Sequence, residues 1–172
     1  MRNESKRNGH TPLVINSWTI FAHPLFLAQL EALARQVEGL KQKDPIGFTK
    51  KNATKRLAAI AKLAFDVIPQ DPSRPEYRQG SSLGENRKHW FRATFFQQYQ
   101  LFFRYHEASK VIVFVWVNDD DTKRAFESSD DAYRVFKKML ESGHPPDDWG
   151  QLLAAAQTVT GRLKEVVDLL RP

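Results

Sequence analysis

The chain has 172 residues, with 26 basic against 20 acidic side chains and a formal net charge of +6. Apolar residues make up 41% and charged ones 27%, the balance of one globular domain large enough to bury a core unaided. Cysteine is absent, which excludes disulfides, thiolate metal sites and cysteine nucleophiles.

The longest apolar run, Val111–Val117, falls far short of the ~20 residues that a membrane helix needs. The polar, basic segment Met1–Thr11 has no apolar stretch to serve as a signal peptide, so a cytosolic protein with no membrane contact is expected. Charge is uneven. Residues 1–60 carry 10 basic and 4 acidic side chains, residues 61–110 carry 8 and 5, and residues 111–172 carry 8 and 11. The basic first two thirds favour a polyanionic partner, since each neutralised phosphate releases counterions; solubility alone is the alternative.

In chain order, residues 1–12 read as a flexible arm and Leu13–Ala22, rich in β-branched and aromatic types, as a first strand. His23-Pro24 opens a helix, with Phe26, Leu30, Leu33, Val37 and Leu40 as its apolar stripe and Gly39 with Lys43–Pro45 as its end. A second helix runs from about Thr49 or Asn52 to Ile68, making an αα-hairpin whose turn and second arm carry Lys41, Lys43, Lys50, Lys51, Lys55 and Arg56. That run is either a solvated face or a phosphate or rRNA contact. Pro69–Arg87 is a long Pro/Gly/Ser-rich loop. Three strands follow, Lys88–Phe96, Tyr99–His106 and Lys110–Asn118, joined closely enough for an antiparallel meander. A helix over Asp130–Glu141 and a last helical region from Asp147 to about Leu170, with Gly161 as a possible break, complete an α+β domain.

Strand alternation separates two faces. Leu101, Phe103 and Tyr105 share one with Phe91, Ala93 and Phe95; Gln100, Phe102, Arg104 and His106 share the other with Lys88, Trp90, Arg92 and Thr94. Cations interleaved with rings suit RNA, because guanidinium groups grip phosphates and exposed rings stack on bases. The competing reading makes Arg92 and Arg104 the solvent side of a half-exposed sheet and packs Trp90 and Phe102 under the terminal helix. The acidic run Asp119-Asp120-Asp121 reads as a solvated turn, because neighbouring residues cannot all converge on one ion. The sequence holds no Gly-rich phosphate loop, zinc-ligand spacing or Gly-x-Ser-x-Gly elbow.

Tyr99–Tyr105, Lys110–Asp119 and Thr122–Arg124 resemble the RelE-like bacterial toxins. Trp18, Ala22–Pro24, Lys43–Pro45, Arg78–Gly84 and the Gly143–Trp149 turn are more specifically similar to the YhaV-type toxins paired with PrlF antitoxins. The likeness spans Asn16 to Trp149. It implies a RelE-like fold: an N-terminal strand and αα-hairpin, then the three-stranded meander, with a toxin domain over 13–149 and a C-terminal helical extension over 150–172. It further implies a toxin that cleaves mRNA, in association with the ribosome, without metal or cofactor. Its partner would be an AbrB-class, PrlF-like antitoxin bound in a hetero-oligomer.

On that reading RNA is cut by attack of its own 2′-OH on the adjacent phosphate. Arg92, Arg104 and Arg124 are the candidates for phosphate stabilisation, with His106 or His89 as the base. Lys88, Gln100, Trp90 and Tyr133 are candidate RNA contacts, Tyr133 also fitting core packing. The chain departs from the family at Gln100, where the middle strand usually carries a cation, and at Thr94, where a second basic residue is common. Either Arg104 and Arg124 take over that role or the nuclease is weak. A non-cleaving, gyrase-type inhibitor and a plain RNA- or ribosome-binding module are the alternatives.

Overall fold

The computed structural model describes residues 11–119 and 131–170. Five strands, β1 (Leu13–Ile15), β2 (Trp18–Ala22), β3 (Phe91–Phe95), β4 (Tyr99–His106) and β5 (Val111–Val117), form one sheet in the order β1-β2-β5-β4-β3. The β3–β4 and β4–β5 pairs are antiparallel, but β2 runs parallel to β5, so the sheet is mixed. The expected single strand over Leu13–Ala22 is two strands in a hairpin. Asn16 (φ 52°) and Ser17 (φ 74°) both take positive φ, as a two-residue turn matched to strand twist requires. Residues Lys88–Trp90, read as part of the third strand, instead follow a 3₁₀ turn over Glu85–Arg87, and Trp90 N–H donates to the Arg87 carbonyl at 3.2 Å.

The helical hairpin consists of α1 (Pro24–Lys43) and α2 (Asn52–Lys62), the latter continuing through a π turn and a 3₁₀ turn to Gln70. With α3 (Asp131–Glu141), α4 (Trp149–Gln157) and α5 (Thr160–Leu170) the helices cover both faces of the sheet. The C-terminal break falls at Thr158-Val159, and Gly161 sits in the first turn of α5. The first core joins Phe26, Leu30, Leu57 and Ile60 to Leu101, Phe103, Phe114 and Leu163. A second, on the opposite face, joins Trp90, Phe102, Val113, Val115 and Trp116 to Phe136, Leu140 and Leu152. The long loop is packed as well: Tyr77 lies edge-on to Phe103, and Gln79 ties Leu83 N–H to the Arg87 carbonyl. Among the described residues no helix is long and apolar enough to cross a membrane.

His23 links the sheet to the hairpin. Its N–H donates to the Phe114 carbonyl, and its Nδ1 accepts from Leu25 N–H at 3.1 Å, capping α1. Only 2% exposed and close to His144, it has its pKa lowered from 6.5 to about 4, first by burial and then by that neighbour. The fold therefore favours the neutral ring. Stability is full above about pH 6.5 and falls by about 3 kcal/mol as the pH drops to about 4. We expect the urea midpoint at pH 5 to lie well below that at pH 7.5. His23→Asn, which keeps a cap acceptor, should shrink that gap; an undiminished gap would exclude His23 as its source.

Candidate active site

The candidate site lies at the C-terminal end of β4, where the cover over the second face stops. Phe136 of α3 stacks on Phe102 with centroids 4.3 Å apart, sealing the middle of the strand. Beyond α3 the chain turns at Gly143 (φ 87°), passes a cis His144–Pro145 bond and delivers Asp147 and Asp148 beside β4. Asp148 caps α4, accepting from Gln151 N–H at 2.9 Å.

Asp147 gathers three sequence candidates. Its Oδ1 accepts from Trp90 Nε1 at 2.7 Å and from His89 Nε2 at 2.9 Å, and its backbone carbonyl accepts from Arg104 Nη1 at 2.5 Å. The Arg104 guanidinium lies 5.3 Å from the ring centroids of both Trp90 and Trp149, a cation held between two indoles. His106 stacks on Trp149, with 5.8 Å between centroids and 21° between planes. Trp90, Arg104, Trp149 and His106 thus form one column.

The hydrogen-bond partners assign the tautomers of both imidazoles. A carboxylate only accepts, so His89 carries its proton on Nε2 and leaves the Nδ1 lone pair uncommitted. His106 Nδ1 accepts from Ser109 N–H at 3.2 Å, and Ser109 Oγ lies 2.8 Å away, so the neutral ring keeps its proton on Nε2. Burial raises the Asp147 carboxyl, but the hydrogen bonds from Trp90 and His89 and the charge of Arg104 bring it below the ordinary carboxylate range. Burial also lowers the Arg104 pKa, against the opposing pull of Asp147 and Asp148. Arginine remains charged at neutral pH regardless.

A second group sits alongside on the same face. Arg92 pairs across the sheet with Phe102. It donates Nε to Tyr133 Oη and Nη1 to the Glu76 carbonyl, both at 2.6 Å. Its Nη2 makes no hydrogen bond among the described residues.

The structure corrects several assignments. Trp90 is fully buried and offers no face to a base; it is a core ring that supports Arg104. Gln100, 4% exposed, is consumed inside the sheet. Its amide oxygen accepts from Thr94 at 2.7 Å and faces Tyr133 Oη at 3.4 Å, so it tethers α3 to the sheet instead of meeting RNA. Tyr133 is half-buried, edge-on to Phe102. Lys88 is exposed and paired with Glu85 at 3.1 Å. Arg124 lies outside the described residues. Among those residues no group of three or more His, Asp or Glu is placed to hold a metal.

Asp147 and Trp149 had no role in the sequence reading. Their signal was local: two acids directly before an aromatic residue at a helix start, where one caps the helix and the other is left to turn inward.

A family model described as "Toxin with endonuclease activity, of toxin-antitoxin system" matches residues 20–157. The chain belongs to the YhaV toxin family. It is 46% identical over 143 residues, 82% of its own length and 93% of the relative's, to Toxin YhaV of Escherichia coli O6:H1. The same figures hold for the Ribonuclease toxin YhaV of Escherichia coli K12. No solved structure matches. The chain is accordingly an endonuclease toxin of a toxin–antitoxin system, as its family is described.

The turn over Gly143–Trp149, Asp147 included, should also support the fold. Asp147→Ala leaves the buried Trp90 N–H without a partner, and the expected loss is about 1–3 kcal/mol in urea unfolding. An unchanged midpoint would show that the clasp contributes nothing to stability.

Proposed function

We propose that the chain is a RelE-like endoribonuclease toxin that cleaves mRNA in association with the ribosome and is silenced by a PrlF-like, AbrB-class antitoxin. The observation that carries this reading is the convergence of Arg104, His89 and His106 around one turn, with Arg92 beside them on the same face. The K12 relative's name, ribonuclease toxin, supports RNA as the substrate.

The His89 tautomer suits the base. His89, oriented by Asp147, takes the 2′-OH proton on Nδ1, the 2′-oxygen attacks phosphorus, and the P–O5′ bond breaks. The leaving 5′-oxygen takes up a proton, from water or from His106 once that ring is doubly protonated and has given up the Ser109 N–H bond at Nδ1, giving a 2′,3′-cyclic phosphate and a free 5′-OH. Arg92 and Arg104 stabilise the charge that builds on the phosphoryl oxygens, and Arg124 remains a third candidate for that role. Loss of one such donor costs on the order of 10²–10³ in rate. The route uses only the chain's own side chains.

Cleavage in EDTA, with and without ribosomes, tests this. Cyclic-phosphate and 5′-OH ends are expected, with Arg104→Ala slower by about 10²–10³ and still folded. Ends bearing 5′-phosphate, or intact transcripts in cells whose growth has stopped, would overturn it. Blocked DNA supercoiling beside intact transcripts would favour the gyrase-type inhibitor.

A further inference from the structure

The tip of the α1–α2 hairpin carries Lys41, Lys43, Lys50, Lys51 and Lys55, all exposed and none in an ion pair among the described residues. Asp44 is the only acid between Glu38 and Asp66, and its carboxylate accepts Gly47 N–H at 2.9 Å. At the apex Ile46 is 90% exposed, so none of the described residues covers it.

Helix stability explains part of this charge. Lys41 and Lys43 lie in the last turn of α1, where cations meet the negative end of the macrodipole. The others run against the same physics. Lys51 occupies the N-cap of α2 without a side-chain bond and Lys55 follows in its first turns, a helix start with no acidic residue, while Lys50 ends the single 3₁₀ turn Gly47–Lys50 just before it. Cations there oppose the dipole and stabilise nothing locally.

We infer that the hairpin tip, with Lys50, Lys51 and Lys55 at its centre, is a second nucleic-acid surface that grips the phosphate backbone of RNA away from the cleavage site. This rests on the reading of the chain as acting on RNA. The start of α1 touches the site's turn through His23 and His144, 5.7 Å apart, and the 20 residues of α1 carry the tip about 30 Å from there. A short oligonucleotide filling the site cannot reach the tip, whereas a long transcript or ribosomal RNA can. The point-charge chemistry of lysine fits a backbone contact that does not read sequence.

The test is the triple change Lys50→Glu, Lys51→Glu, Lys55→Glu in the full chain, read by binding to 2′-O-methyl RNA, which cannot be cleaved by the 2′-OH route. Binding is thereby measured independently of whether the chain is a nuclease. Affinity for a long RNA should fall about tenfold or more, and the slope of log K against log salt should lessen by about 2. Affinity for an RNA of about six nucleotides should hold. A parallel arm with purified ribosomes identifies the source: a fall there or on free RNA supports the surface and names its ligand. The melting temperature should be unchanged or higher, because acids at a helix start suit the dipole. Unchanged long-RNA affinity and salt slope would overturn the proposal, as would an equal fall for short and long RNA, or a loss confined to an acidic polypeptide such as polyglutamate.

Discussion

The stacking of Phe136 on Phe102, continued onto Trp116 at 5.6 Å, determines what the second face of the sheet can do. Alternation along β4 makes that face mixed, with Gln100, Phe102, Arg104 and His106 in sequence. Burying an aromatic ring removes some 150–250 Å² from water, on the order of 4–6 kcal/mol by area. That outweighs the cost of half-burying one arginine that has a carbonyl acceptor and two indole faces, each worth about 0.5–2 kcal/mol. The helix therefore settles over the rings, and cations stay reachable only where the rings end. The placement of the candidate site at the strand terminus follows from that competition.

Once the cover stops, one residue organises what is left. Asp147 uses its carboxylate for Trp90 and His89 and its carbonyl for Arg104, so two segments distant from it in sequence share one acceptor residue. Two adjacent acids near a phosphate site would ordinarily repel the substrate. Here each is compensated differently: Asp148 faces the positive end of α4, while Asp147 is matched by two N–H donors and the neighbouring Arg104. Charge that would oppose RNA is thereby turned into the scaffold that fixes an imidazole tautomer.

Much of the architecture was legible from local pattern. The β4 boundaries, the α1 span and the antiparallel pairing of β3–β5 follow from alternation, the His23-Pro24 start and short connections. The split of β1 from β2 was missed because apolar content on both sides of Asn16-Ser17 masked a turn pair tolerant of positive φ. Trp90 and Gln100 illustrate a different limit. Period-two alternation tells which residues share a face, but whether that face meets water depends on a helix placed by residues 131–141, which strand periodicity does not contain. The partners of Asp147 are hidden for the same reason: they lie 43 to 58 residues away.

The division of charge along the sequence acquires a spatial meaning in the fold. The acidic last third lies partly against the basic strands, where Asp147 and Asp148 face Arg104, so the positive field at the site is largely answered from within. The first third has no such counterweight at its lysine-rich tip, since its single local carboxylate is committed to a backbone N–H. Long-range attraction of a polyanion depends on net, uncompensated charge, whereas catalysis depends on cations held at fixed positions by neighbours. Arg104 is fixed by a backbone carbonyl, and the nearby Asp147 and Asp148 carboxylates weaken its long-range field without removing its local charge. The length of α1 keeps the two apart: Asp147 holds Arg104 and His89 at one end, and the lysines at the other make no ion pair among the described residues.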